Sequence, residues 1–153
     1  EMSELKAGLH RLAFVGDRLL VGRTHLSWAG GEHLGWVEPT GKVGFDVIEI
    51  KVSRSGFDVR FSKPADKSVA VASNWQLRSY TFGYWAAYGS AELDSQEFAP
   101  ESVSLSADGL SAFVKLSEMR ENFVYDFNFA ALRSSDGSAP LNQKAAYTVR
   151  RKP

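Results

Sequence analysis

The segment Asn122–Phe129 reads NFVYDFNF and decides the fold class of this chain. Every second residue from Phe123 to Phe129 is aromatic, and Asp126 and Asn128 stand between them. Because successive side chains of a β-strand point to opposite faces, this alternation gives the strand one apolar and one polar face. It predicts a strand of an antiparallel sheet that is buried on one side and wet on the other.

The same alternation recurs on both sides of this segment. In Gly56–Phe61, GFDVRF, the apolar side chains from Phe57 to Phe61 alternate with Asp58 and Arg60. Further strands are predicted at Phe45–Val52, Trp75–Phe82, Val103–Leu105, Leu110–Leu116 and Ala145–Val149. About seven short strands separated by turn residues predict an all-β, antiparallel two-sheet sandwich of the immunoglobulin or fibronectin III kind. Closure into a small barrel is the alternative that the pattern leaves open.

Some details of the strands are also predicted. In Phe45–Val52 we expect Ile48, Ile50 and Val52 to share the inward face. Leu110 is expected to point inward together with Ala112, Val114 and Leu116. The segment Pro64–Ala72 is expected to hold one helical turn or an edge.

The N-terminal part of the chain has a different pattern. Leu12–Gly22 holds two apolar runs around Gly16-Asp17, which predicts a β-hairpin arm. Arg23–Gly44 is rich in glycine, carries Trp28 and Trp36, and shows one short strand candidate near Leu34–Val37. We therefore predict a hairpin and glycine-rich loop over residues 1–44 and a β-sandwich domain over 45–153.

The composition excludes several function classes. Lys+Arg and Asp+Glu both number 18, so no like-charge field would attract nucleic acid or anionic lipid. The chain has no cysteine, which removes disulfides, thiolate nucleophiles and thiolate metal sites. No apolar run approaches the roughly 18 residues of a membrane span. Neither nucleic acid nor membrane is an expected partner.

No catalytic or metal-binding pattern is complete in the sequence. His25 and His33 flank Trp28, and with Glu32 they would resemble a metal site, but their spacing matches no known ligand pattern. No Gly-x-Ser-x-Gly nucleophile motif occurs, and the acidic residues between Glu92 and Glu97 are expected to lie on a polar loop. We predict no catalytic residue, no metal and no cofactor for this chain, and hence no enzyme confined to it.

An aromatic run supplies the candidate binding residues. Residues 80–88, YTFGYWAAY, hold five aromatic side chains in nine positions, which is more than one strand face buries. Three interpretations stay open: an aromatic cap on the end of the sandwich, a docking site for a partner, and a platform for sugars. The candidate ligand-binding residues are Tyr80, Tyr84, Trp85, Tyr88 and Trp28.

Several strings of the sequence resemble a known family when they are read in order. They are LLVGRTHLSWAGGEHLG at 19–35, TGKVGFDVIEIKVSRSGFDVRFSKPAD at 40–66, YGSAELD at 88–94, SADGLSAFVKL at 106–116 and LRSSDGSAPLNQKAAYTVRRKP at 132–153. Together they resemble the β-sandwich segment that follows the propeller in large secreted bacterial proteins related to quinone-dependent glucose and sorbosone dehydrogenases. Those proteins often carry a c-type cytochrome domain as well.

The resemblance implies a role for this chain within a larger polypeptide. Quinone, calcium and substrate would belong to the propeller and haem to the cytochrome, so this chain would be a non-catalytic accessory domain whose partners are those neighbouring domains. Its location would be periplasmic or extracellular. The hypothesis predicts an apolar surface around the N-terminal hairpin. The alternative is a carbohydrate-binding module that holds polysaccharide with its surface aromatics.

Overall fold

The computed structural model describes residues 9–23, 33–86 and 89–153, so the predictions for Trp28, His25 and Tyr88 lie outside the described residues. The chain folds into two compact units that divide between Lys42 and Val43. The described part contains eleven strands. They are β1 (Leu9–Val15), β2 (Arg18–Arg23), β3 (His33–Val37), β4 (Val47–Ser53), β5 (Gly56–Phe61), β6 (Gln76–Phe82), β7 (Glu92–Phe98), β8 (Ser102–Leu105), β9 (Ser111–Lys115), β10 (Phe123–Asn128) and β11 (Lys144–Val149).

The second unit is an antiparallel β-sandwich, as the alternation predicts. One four-stranded sheet has the order β4-β5-β9-β8 and the other the order β11-β10-β6-β7. Phe57 of β5 joins the two sheets, because its ring lies 5.3 Å from that of Tyr125 and 5.1 Å from that of Phe127, both on β10. The predicted fold class is confirmed, with eight strands in the sandwich where about seven were expected.

The core follows the predicted alternation closely. Phe57 and Val59 are fully buried, whereas Asp58 and Arg60 between them are exposed. Trp75 is 1% exposed, and its indole N–H donates to the carbonyl oxygen of Val69 at 2.8 Å, so burial leaves this polar group satisfied. Val69 lies in a short 3-10 helix, Lys67–Ala70, so of the two alternatives expected for Pro64–Ala72, a helical turn or an edge, the structure shows the helical turn.

The extra strand, β7, corrects the prediction of a polar loop around Glu92, Asp94 and Glu97. It pairs antiparallel with β6 and forms the edge of its sheet. Six of its seven residues are exposed, so it shows no apolar alternation for a sequence pattern to detect. Asp94 has a φ of 51° within an irregular register, and such irregularities with exposed charges are common on edge strands.

Two residues that were predicted to face inward are exposed instead. The register of β4 shifts between Val47 and Glu49, and Ile48 at this bulge is 55% exposed while Ile50 and Val52 pack against the core. A bulge inserts one residue and reverses the alternation beyond it, which explains the difference. Leu110 precedes β9 and is 40% exposed, because the turn before the strand ends there.

Two turns of the sandwich share the sequence Ser-x-Asp-Gly, at residues 106–109 and 134–137. In each the serine hydroxyl donates to the aspartate, and the glycine has a positive φ that favours this residue. Asp136 also accepts hydrogen bonds from Lys63 at 2.7 Å and from Ser138. These donors stabilise the carboxylate and hold the pKa of Asp136 well below its usual range.

The first unit contains a three-stranded antiparallel sheet of order β1-β2-β3. The predicted hairpin is confirmed, since β1 and β2 pair around a turn at Gly16-Asp17 in which Gly16 has a φ of 63°. The short strand expected near Leu34–Val37 is β3, which pairs with β2.

Candidate functional site

The outer face of β6 carries a line of polar and aromatic side chains. Burial alternates along the strand, so Leu77 and Ser79 face the core while Arg78, Tyr80 and Phe82 face outward. Tyr80 is half-buried, and its ring meets that of Phe82 edge to face at 5.4 Å. Successive outward side chains are two residues apart along the strand. The line from Gln76 to Phe82 therefore extends about 20 Å.

Arg78 is the centre of a charged network on this face. Its guanidinium donates two hydrogen bonds to Glu92 on β7, at 2.6 and 3.0 Å, and one to Asp126 on β10 at 3.1 Å. These carboxylates raise the pKa of Arg78 further above its ordinary value, so the cation is permanent. The guanidinium also lies over the Tyr80 ring, 4.5 Å from its centre, and packs against one face of that ring in a cation–π contact.

Tyr80 lies within this network rather than at the tip of the sandwich. Its hydroxyl oxygen is 3.5 Å from a carboxylate oxygen of Asp126. Desolvation first, and then the negative charges of Asp126 and Glu92, raise the pKa of the Tyr80 phenol. The phenol is therefore neutral across the physiological range.

The loop after β6 forms a second aromatic group. The Trp85 indole N–H donates to the Ser90 hydroxyl at 3.0 Å, and the same oxygen accepts from the Gly83 amide at 3.0 Å. The Trp85 ring lies so close to Gly83 that a Cβ there would come within 2.5 Å of two ring atoms. A side chain at position 83 would therefore force the Trp85 ring to move, and 57% of Trp85 is exposed.

The structure therefore divides the predicted aromatic residues into two groups. Tyr80 belongs to the sheet face, whereas Tyr84, which is fully exposed, and Trp85 belong to the loop. Trp28 and Tyr88 lie outside the described residues, and for them the prediction stays a prediction. Ligand binding by Tyr80, Tyr84 and Trp85 likewise stays a prediction.

An open groove on the outer face of the same sheet was not anticipated from the sequence. Its volume is ≈ 960 Å³. The outward residues that line it come from all four strands and are Gln76, Arg78, Glu97, Asp126, Asn128, Lys144 and Ala146. In the sequence, the only signal of this groove was the set of polar positions that alternate with the aromatic residues of β10. That these polar residues lie next to the outward residues of β6 follows only from the strand order β11-β10-β6-β7.

The three-stranded sheet of the first unit exposes large apolar side chains. On β1 the exposed fraction is 62% for Leu12 and 80% for Phe14, and on β3 it is 72% for Leu34. Cross-strand register places Leu12 and Phe14 on one face, together with Val21 and Leu19, and Leu34 and Trp36 on the other. Both faces of this sheet therefore carry solvent-exposed apolar groups.

Within the described residues no group of three or more His, Cys, Asp or Glu side chains is arranged to hold a metal ion. Among the same residues no helix is long and apolar enough to cross a membrane. The side chain of His33 and the residues His25 and Glu32 lie outside what is described, so the sequence argument about them is not tested.

The fold is similar to that of the S-layer protein SbsC. A crystal structure of rSbsC matches 72% of this chain with a TM-score of 0.54 and 21% sequence identity. A structure of SbsC domains 1–6 and one of its N-terminal part match with TM-scores of 0.51 and the same identity. No family model and no curated protein matches this chain.

At this level of identity the likeness concerns the fold alone. The chain corresponds to 14% of the first two matched chains and 24% of the third. The matched region is thus one part of a longer polypeptide in each of these SbsC structures. The resemblance to the sandwich beside a sugar-dehydrogenase propeller is not tested by these comparisons and stays a prediction.

Proposed function

We propose that this chain is a non-catalytic accessory domain of a larger extracellular or periplasmic protein, and that it docks to a neighbouring β-rich domain of the same polypeptide through its N-terminal sheet. The sandwich serves as a stable support, and the three-stranded sheet supplies the contact surface. The proposal assigns no catalytic residue and no cofactor to the chain.

The observation that carries this proposal is the exposed apolar surface of the N-terminal sheet. Burying a fully exposed Leu or Phe side chain gains about 1.5–3 kcal/mol, so the sheet gains stability from a surface that covers Leu12 and Phe14 on one face or Leu34 on the other. Small sheets reach stability by packing a hydrophobic face against another element. Exposed apolar groups on both faces are what a sheet would show if it were part of a larger β-structure.

Two further points support the choice of neighbour and location. The resemblance to the sandwich beside a sugar-dehydrogenase propeller would make the neighbouring domain a six-bladed propeller. A c-type cytochrome domain would then lie elsewhere in the longer polypeptide. SbsC is a surface-layer protein, and this chain matches 14% of the SbsC chain in the structure of domains 1–6. A multidomain protein outside the cytoplasm fits both.

The test is photo-crosslinking in the longer polypeptide that contains this chain. Replacing Phe14 by p-benzoylphenylalanine places the reactive group at the most exposed of the apolar side chains described on β1. The matched control carries the same group at Val71, which is 48% exposed but belongs to the sandwich unit. We expect crosslinked peptides from one neighbouring domain with the group at position 14, and at least fivefold fewer from that domain at position 71.

The result that contradicts the proposal is equally defined. If the group at position 14 reacts only with solvent, or with scattered peptides at the same yield as the group at position 71, the N-terminal sheet is not a docking surface. Hydrogen exchange gives a second measure: amides of β1 should exchange more slowly in the longer polypeptide than in the isolated chain.

A further inference from the structure

The groove on the β11-β10-β6-β7 sheet presents hydrogen-bonding groups that the fold does not use up. Gln76 accepts one hydrogen bond from the Asn128 amide at 2.9 Å, which leaves both hydrogens of its own amide group available. The side chains of Lys144 and Glu97 have no hydrogen-bond or ion-pair partner among the described residues. Donors and acceptors therefore stand side by side in the groove, and this matches a ligand whose groups both donate and accept.

The groove is also balanced in charge. Its charged lining residues are the cations Arg78 and Lys144 and the anions Asp126 and Glu97. Phosphate-rich or carboxylate-rich polymers require an excess of positive charge, which is absent here. The charge balance favours an uncharged, hydroxyl-rich ligand.

An aromatic surface continues the groove along β6. Phe82 is 53% exposed and stands two positions beyond Tyr80 on the same face. The negative face of an aromatic ring attracts the weakly positive C–H groups of a pyranose ring, so such rings are suited to stack on sugars. Polar groups at one end and an aromatic surface at the other lie along one line of about 20 Å.

We propose that this face binds a neutral glycan chain, with Gln76, Asn128, Lys144 and Glu97 contacting hydroxyl groups and Phe82 stacking on a sugar ring. Arg78 and Asp126 position Tyr80 and the groove floor through their ion pair. A protein partner is less well suited, because the centres of protein interfaces are depleted in charged residues and this groove has four. The inference is independent of the N-terminal docking surface.

Native affinity electrophoresis of the whole chain tests the proposal. The gels contain one neutral polymer each, namely a β-glucan, a xyloglucan or a galactomannan, and polygalacturonate serves as the anionic comparison. We expect at least one neutral polymer to retard the chain and polygalacturonate to leave its mobility unchanged. The variants Gln76→Leu and Phe82→Thr should raise the Kd for that polymer at least tenfold.

Two control variants locate the site. Ile48→Thr changes an exposed apolar residue of the opposite sheet, and Tyr84→Ala removes the exposed ring of the loop. Both should leave the Kd within twofold of wild type. Thermal unfolding of every variant checks that the sandwich is intact. An intact sandwich is expected because Gln76 and Phe82 are exposed.

Several results would overturn the inference. No retardation by any neutral polymer, or retardation by polygalacturonate alone, excludes a neutral glycan. Loss of binding in Tyr84→Ala with normal binding in Gln76→Leu moves the site to the loop and refutes the groove. Protection of Lys144 from acetylation in the longer polypeptide, but not in the isolated chain, shows that a neighbouring protein surface covers this face instead.

Discussion

Phe57 is the residue whose truncation should most damage the sandwich. It is fully buried on β5 and its ring contacts three aromatic rings of the opposite sheet. The centroid distances are 5.3 Å to Tyr125, 5.1 Å to Phe127 and 5.5 Å to Tyr147, all in edge-to-face geometry. The substitution Phe57→Ala removes all three contacts and leaves a cavity between the sheets.

The expected loss follows from these contacts. Truncating a buried phenylalanine to alanine costs about 3–5 kcal/mol, and the complete burial of Phe57 together with its three ring partners favours the upper part of this range. A domain of this size has a free energy of unfolding of about 5–15 kcal/mol. With a urea slope of about 2 kcal/mol per molar, a loss of 4 kcal/mol lowers the midpoint by about 2 M.

The assay is equilibrium urea unfolding followed by tryptophan fluorescence. Trp75 is 1% exposed and reports on the core of the sandwich. The matched control is Phe82→Ala, because Phe82 is also a strand phenylalanine but is 53% exposed. We expect this control to lower the free energy of unfolding by less than about 1 kcal/mol.

A defined result refutes the reasoning. If Phe57→Ala costs less than about 1.5 kcal/mol while the unfolding slope is unchanged, the two sheets do not pack against each other at this ring. If Phe82→Ala costs as much as Phe57→Ala, burial does not determine which aromatic residues hold the sandwich together.

Three further predictions concern local structure. Gly83→Ala places a methyl group within 2.5 Å of the Trp85 ring, so the indole N–H resonance of Trp85 should shift in NMR spectra; an unchanged resonance contradicts the packing. The pKa of Asp136 beside Lys63 is lowered from the value of 3.8 that applies in the unfolded chain. The ionised carboxylate therefore stabilises the fold fully at pH values above 3.8, and this stabilisation is lost as the pH falls further. Calorimetry of Asp136→Asn should therefore show a smaller fall in Tm below pH 3.8 than wild type, and an identical fall refutes the coupling. Asp46→Ala removes hydrogen bonds to the segment before β11, and a Tm drop of about 5 °C is expected, whereas an unchanged Tm refutes a stabilising role.

The sequence determined the fold class because strand alternation is a local property. In β10 the residues Tyr125 and Phe127 are each 1% exposed, while Asp126 and Asn128 face outward as their positions predict. The turns also follow from local sequence. Both Ser-x-Asp-Gly turns end in a glycine with a positive φ, a conformation that glycine adopts more readily than other residues. The hairpin at Gly16-Asp17 was predictable for the same reason.

Strand pairing and burial decided the features that the sequence left open. The edge strand β7 has no apolar side to reveal it, so only its pairing with β6 defines it as a strand. A bulge, which depends on the partner strand, turned Ile48 outward. The groove exists because β10 lies between β6 and β11, which brings Asn128, Gln76 and Lys144 together from distant parts of the chain. Alternation states which way a side chain points, but only the order of the strands decides which side chains are neighbours.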